Sequence, residues 1–509
     1  MLRSISSNWA LNAMQILVFM VLTPFAANAL GRDLYGVWEV LVASAGPLQL
    51  LALGLPMATV RAVSAGRSAE DDPDAASRAV GTSLSMTLVL GTVAALLGGA
   101  VWFAFDALLV DSPEWSGIGD SGAEDARAAL IVLLVNVAVG FALRLPYAVY
   151  DAHADFVARN LIMGGGLLLK LGATVGFLTV HPDLFTLAWI QLVIAAFEFA
   201  VALRVSRRRH PKVRFAPRRI RWSEARALLS FSVFAFLLNM GALLAFRLDA
   251  LVIGLHMEPE AAAIYGFGNK IFDPFIQLVL GIGMVLMPMA ASRAGSSDLS
   301  EVEDAFLKWS KIAATLVFLV GGYLMVLGPA FLDTWLGDES TPESGRLLQV
   351  LMVSFFAFLP VRGVALPVLM GLGRAKGPGL GLLTMGLVNV GLSITLIGPY
   401  GLLGVALGTA IPNVLFSIVF ARAACGSLGI SLARYLAYAF GRPLLAALVA
   451  AGLLWLVADR WTIEGYPRLI GAGLAYTAVF GAVGVAFVFR GDPRLDLAAR
   501  LASLRARLP

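Results

Sequence analysis

Charge is what this chain has least of. Only 14% of its 509 residues are Asp, Glu, Lys or Arg, against 59% apolar residues and a mean hydropathy of +0.83. A soluble domain carries about 25% charged and 45–50% apolar residues. The shortfall excludes an ordinary water-soluble enzyme, and it equally excludes a disordered chain, which would be poor in apolar residues. Cysteine is nearly missing: Cys425 stands alone, so no internal disulfide forms and no Cys/His metal spacing exists. The four histidines, His153, His181, His210 and His256, lie far apart. Regular polar/apolar alternation, the mark of a membrane barrel, is absent too.

What is present is a series of long apolar runs. A helix needs about 20 mostly apolar residues to cross a bilayer. Fourteen such stretches are expected, near 8–29, 35–59, 79–105, 127–150, 160–180, 184–204, 226–255, 261–291, 308–332, 346–370, 379–398, 401–421, 437–458 and 467–489. Pro399-Tyr400-Gly401 separates two of them as a tight hairpin, because proline cannot continue the hydrogen-bond ladder. The first stretch superficially resembles a signal peptide, with Arg3 before it and Ala27-Asn28-Ala29 after it. Asn8, Asn12 and Gln15 argue for a retained helix instead. Their spacing places them on one face, suited to lining a polar interior.

The basic residues are sorted by side. With a cytoplasmic N-terminus, 28 of the 38 Lys and Arg fall on cytoplasmic ends and loops and only five on outer loops. The densest run, Arg207-Arg208-Arg209 through Arg218-Arg219-Ile220-Arg221, is then a cytoplasmic connector that meets anionic headgroups, and not a nucleic-acid site. That connector suggests a duplication. The turn after the first span ends in Tyr35-Gly36 and the turn after the seventh in Tyr265-Gly266. The expected architecture is all-α: two six-helix lobes related by a pseudo-two-fold axis along the membrane normal, plus two extra C-terminal helices. Residues 1–204 form the first lobe, 205–225 the linker, 226–421 the second lobe, and 422–509 helices 13 and 14 with a basic tail.

Nine ionisable residues fall inside these spans: Glu39, Arg144, Lys170, Glu198, Arg247, Asp249, Lys270, Asp273 and Arg362. At about 3 kcal/mol each, they cost on the order of 27 kcal/mol if they face lipid, so they face protein or water. At 1.5 Å per residue, Lys170 and Arg247 reach about mid-bilayer. Two readings stay open. The acids neutralise the bases in pairs, Asp249 with Lys270 or Arg247 and Asp273 with Lys270, while Glu39 and Glu198 reach for the span ends. Alternatively Arg247, Lys170, Arg362, Arg144 and Lys270 line a cationic cavity between the lobes, suited to a phosphate or pyrophosphate headgroup. Prolines within spans, Pro24, Pro47, Pro56, Pro146, Pro288, Pro367 and Pro412, supply kinks that a rocking transporter would use.

Two motifs are decoys. Gly371-Leu372-Gly373-Arg374-Ala375-Lys376-Gly377 lacks the preceding strand of a nucleotide loop. Asp72-Pro73-Asp74 sits with Glu70 and Asp71 in a short solvated turn. There is no Walker motif to make ATP the direct energy source, and the lack of an Asn-x-Ser/Thr sequon agrees with a bacterial membrane.

Three stretches carry a family resemblance: ALGRDLYGVWEVLVASAGPLQLLALGLPMATVRAVSAG at 29–66, FRLDALVIGLHMEPEAAAIYGFGNK at 246–270, and GLGRAKGPGLGLLTMGLVNVGLSITLIGPYGLLGVALGTAI at 371–411. The chain resembles the polysaccharide-exporter branch of the multidrug/oligosaccharidyl-lipid/polysaccharide exporter superfamily, with Asp249 at the family's span-seven aspartate and Asn389 at its span-eleven asparagine. The resemblance implies a non-enzymatic flippase. It would move undecaprenyl-pyrophosphate-linked oligosaccharide from the inner to the outer leaflet by alternating access. It also implies a monomer in the bacterial cytoplasmic membrane with both termini cytoplasmic, membrane lipids around it, and glycosyltransferases and a polysaccharide polymerase as partners. No cofactor is expected. Coupling to protons or sodium would run through Glu39, Asp249 or Asp273. A lipid II-type flippase and a drug/cation antiporter are the alternatives within the superfamily; a membrane polysaccharide polymerase or ligase is the alternative outside it. The lipid II flippases carry arginines in spans one, two and eight, where this chain offers only Lys270 and, at the end of span two, Arg61.

Overall fold

Every regular element among the described residues is helical. The computed structural model describes residues 2–495 apart from 53, 69–71, 73 and 218–231. The second half of the basic linker, with Arg218, Arg219 and Arg221, and the tail beyond 495 lie outside them, as does Pro73. Among the described residues, eleven helices are long and apolar enough to cross a membrane, and Phe236–Phe246 adds a shorter apolar one. By packing, the chain divides into two compact units, Met1–Ala263 and Ile264–Pro509.

The first unit holds α1 (Leu2–Ala45), α2 (Leu55–Ser68), α3 (Ala75–Phe105), α4 (Gly119–Leu143), α5 (Leu145–Ala152), α6 (Phe156–Leu178), α7 (Leu184–Arg209), α8 (Ser232–Phe246) and α9 (Asp249–Gly254). A straight α1 would run about 66 Å, twice the hydrocarbon thickness. It breaks at Gly31, whose φ of 75° costs a residue without Cβ nothing. Small residues let α3 and α4 approach closely, since a Cβ on Gly91 would meet the Ala138 carbonyl. Residues 232–263 belong to the first unit. Gly254 abuts Val40, the Trp115 indole donates to the Gly254 carbonyl at 2.9 Å, and Arg32 meets Glu260 at 3.2 Å. Three acids of the 106–125 segment are engaged: Arg127 reaches Asp106 and Asp111, and Asp125 accepts the Leu184 and Phe185 amides that open α7.

The second unit holds most of α10 (Pro259–Lys270), then α11 (Phe272–Ser292), α12 (Ser300–Leu336), α13 (Pro342–Gly371), α14 (Lys376–Leu428), α15 (Leu432–Leu436), α16 (Arg442–Arg460) and α17 (Tyr466–Val483). Helices α11 and α13 interlock one turn at a time: Gly363 on Val279, Pro367 on Gly283, and Gly371 on Met287 and Ala290. The long α14 reverses at Gly401 (φ 57°), just after Pro399-Tyr400. A Cβ on Gly404 would strike the Leu396 backbone, and the Asn389 amide reaches the Thr409 hydroxyl at 2.8 Å across the hairpin. The last helix, α17, docks on α12 through tyrosines. Tyr476 fills the space left by Gly322 and donates to the Phe318 carbonyl, while Tyr323 donates to the Leu469 carbonyl.

One ion pair closes this docking. Lys311 of α12 meets Asp492, beyond α17, at 2.5 Å, with both side chains 2% exposed. Asp492 also accepts the Tyr438 hydroxyl at 2.9 Å and the amides of Arg494 and Leu495. Burial pushes the Asp492 carboxyl up, but the hydrogen bonds from Lys311, the Arg494 amide and Tyr438 outweigh it and hold the group below the usual carboxylate range. Its stabilisation is therefore complete above the unfolded value of about 3.9 and disappears as pH falls through the lower folded value. Asp492→Asn, which strands a buried ammonium, is expected to cost about 3–5 kcal/mol, and Lys311→Met with Asp492→Leu to recover most of it. Thermal unfolding of the detergent-solubilised variants reads both.

Candidate functional site

Five of the nine intramembrane charges lie where helices are interrupted. Arg144 caps the end of α4 at φ −85°, ψ −8°, immediately before α5. Pro146 supplies the cause, because it has no N–H for the Ala142 carbonyl four residues back. Arg247 follows the end of α8, and Asp249 opens α9. Lys270 ends α10, and Asp273 sits in the first turn of α11, where Pro274 offers no N–H to the Lys270 carbonyl. Helix C-terminal ends carry partial negative charge and N-terminal ends partial positive charge. A cation at each C-terminal end and an acid at the following N-terminal start complement both dipoles. The two Lys/Arg–Asp sets at 247–249 and 270–273 follow this order.

A second grouping lies within the first unit. Helix α5 is fastened to α7 in register: the Tyr147 hydroxyl donates to Oε2 of Glu198 at 2.9 Å, and one turn on the Tyr150 hydroxyl donates to the Ala202 carbonyl at 2.7 Å. Glu198 folds over Gly166 of α6, where any Cβ would collide with its carboxylate. Lys170 lies one turn from Gly166 on the same helix face. Lys170 and Arg144 are the cations whose fields reach Glu198. Sequence reading gave Glu198 only a span-end role. The grouping depends on three helices that no local spacing connects, and the one local signal was the Gly164-Gly165-Gly166 run.

The remaining sequence-expected residues are more dispersed. Arg362 of α13 is half-buried with its guanidinium 5.9 Å from the Phe358 ring centre, one turn away. Glu39 is half-buried in the second half of α1. Asn8 accepts from Arg159 Nη2 at 3.2 Å and from the Asn160 amide at 2.5 Å, and Arg159 in turn meets Asp151 at 2.5 Å. That network ties the start of α1 to the start of α6. Asn12 and Gln15 occupy exposed positions on α1. In the second unit a buried polar seam joins α13 to the second arm of α14 and that arm to the first: Asn413 donates to Ser354 at 3.2 Å, Asn389 to Thr409, and Ser393 packs on Gly408. Of these, only Asn389 had been singled out in the sequence.

Comparison with known proteins bears out the resemblance. Residues 124–342 match the family described as polysaccharide biosynthesis protein. An uncharacterized membrane protein of Bacillus subtilis strain 168, EpsK, is 21% identical over 96% of this chain and 95% of its own length. Among solved structures, a multidrug resistance transporter of the MATE family in the MOP superfamily, in an inward-facing conformation, superimposes with a TM-score of 0.70 at 18% identity, over 82% of this chain and 95% of its own. The lipid II flippase MurJ, in an inward closed conformation, superimposes with a TM-score of 0.62 at 13% identity, over 92% of this chain and 98% of its own. The chain is a multi-pass membrane protein that shares the fold of these two transporters.

Because Glu198 needs the room above Gly166, Gly166→Leu is expected to cost about 1–3 kcal/mol by overpacking. The adjacent Gly165→Ala, with open space at its Cβ, is expected to stay within about 0.5 kcal/mol. Melting temperatures of the two purified variants decide it.

Proposed function

We propose that this protein moves an undecaprenyl-pyrophosphate-linked oligosaccharide from the inner to the outer leaflet of the bacterial cytoplasmic membrane, by alternating access and without covalent chemistry. The observation that carries the reading is the placement of Arg144, Arg247 and Lys270 at interruptions of membrane-depth helices. Discontinuous helices are how membrane transporters bring charge and backbone dipoles to a substrate near mid-bilayer. A diphosphate is the part of such a lipid that needs cations in hydrocarbon, and arginine offers it two parallel hydrogen bonds. Lys170 and Arg362 complete the proposed cationic set, and Asn8, Asn12 and Gln15 its polar lining. The match to a polysaccharide biosynthesis family supports a sugar-bearing cargo.

In this reading both termini are cytoplasmic, and the arginines at the end of α7 and beyond α17 meet anionic inner-leaflet headgroups. Glycosyltransferases supply the cargo and a polymerase consumes it. Asp249, Asp273 and Glu39 are the candidates for coupling to a proton or sodium gradient. Arg247→Ala is expected to abolish leaflet transfer of the lipid-linked sugar in inverted membrane vesicles while leaving membrane insertion intact. Wild-type transfer by that variant removes Arg247 from the site. Transfer of a lipid II analogue in place of the oligosaccharide lipid would move the cargo assignment to peptidoglycan precursors.

A further inference from the structure

Glu198 is the acid enclosed by Tyr147 and Gly166, while Asp151 of α5 is paired with Arg159, and the arrangement around Glu198 is built. Three helices each contribute a piece. Helix α5 contributes the Tyr147 hydroxyl at 2.9 Å, α6 contributes the clearing at Gly166 and the Lys170 ammonium one turn on, and the α4–α5 joint contributes Arg144. Tyr150, one turn from Tyr147, is the other titratable group nearby, and its hydroxyl is already committed to the Ala202 carbonyl. The carboxylate thus accepts a hydrogen bond from a neutral donor on one oxygen and lies in the fields of two cations. A side chain needed only to join α5 to α7 would not require cations, since the Tyr150–Ala202 bond makes the same join with none. The two cations are also among those assigned to the diphosphate.

We propose that Glu198 is an exchangeable counter-ion, which offsets one of the two positive charges of Lys170 and Arg144 while no anionic ligand is present and takes a proton as a diphosphate takes over the two cations. The proposal rests on the assignment of Lys170 and Arg144 to the diphosphate given above. The exchange is balanced: the diphosphate brings its charge to the ammonium and guanidinium, Glu198 loses their fields, and one proton from the aqueous side neutralises the carboxylate. The Tyr147 hydroxyl bonds either form, as donor to the carboxylate or to the carbonyl oxygen of the acid. Without the exchange, three anionic groups would share two cations in a medium where like charges repel strongly. The empty site carries one net positive charge instead of two, which lowers the cost of holding cations in hydrocarbon between turnovers. Glu198 acts through Lys170 and Arg144, as a positioning residue.

The test is binding of inorganic pyrophosphate to the purified full-length protein across pH 6–8, in wild type and in Glu198→Gln, whose amide still accepts from Tyr147. One proton taken up per anion makes wild-type affinity rise by about tenfold per pH unit lowered, beyond the dependence seen in Glu198→Gln, which carries only the titration of pyrophosphate itself. At pH 8 the variant is expected to bind about tenfold or more tightly than wild type. Infrared difference spectra on adding pyrophosphate are expected to show a new protonated carboxyl band in wild type that Glu198→Gln lacks. Equal pH slopes in the two proteins, weaker binding by the variant, or absence of that band overturns the counter-ion. If binding is nevertheless lost in Lys170→Met with Arg144→Gln, the diphosphate site itself stands. No pyrophosphate binding by wild type removes both.

Discussion

A helix that stops inside hydrocarbon leaves four carbonyls and four amides to be satisfied by something other than water. That constraint organises this protein. Most of the chain obeys it by running unbroken, and the breaks are few and chemically marked. Where α4 gives way to α5, α8 to α9 and α10 to α11, the cation comes at the C-terminal end, and at the last two an acid follows at the N-terminal start. The same residues therefore stabilise the interruption and put charge where a transported anion would need it. In the sequence the structural and functional readings of these side chains look like rivals, but one placement at a helix break can serve both.

The apolar architecture was legible because it is written locally. Run length shows which segments cross, Pro399-Tyr400-Gly401 shows where one hairpin turns, and the paired Tyr-Gly turns hint at duplication. Two of the three interruptions also had a local mark, Pro146 and Pro274. The break after Arg247 had none, since no proline lies near it. What stayed hidden were contacts between segments distant in sequence. Glu198 looked like a span-end acid until Gly166 and Tyr147 closed around it, and Lys311 looked like one more positive charge on the cytoplasmic side. Each depends on helix rotation and register, which periodicity in an almost wholly apolar helix does not record.

Packing within each unit leans on absent side chains as much as on present ones. Gly91 in the first unit and Gly283, Gly322, Gly363 and Gly371 in the second each receive a neighbour that a methyl group would repel. In lipid, where apolar surface gains nothing by leaving one hydrocarbon for another, such close approach is the main source of helix association. Polar seams such as Asn389–Thr409 and Asn413–Ser354 add direction to it.

The Lys311–Asp492 clasp has a consequence for biogenesis. Its partners are 181 residues apart. At roughly 5–20 residues per second of synthesis, Lys311 leaves the ribosome on the order of 10–40 s before its acid exists. Throughout that interval the base of α12 carries an uncompensated ammonium, which holds it at the lipid–water boundary. Only when the last helix arrives does the amine withdraw from water, so the nascent second unit has a built-in signal that its final pair of helices has come home.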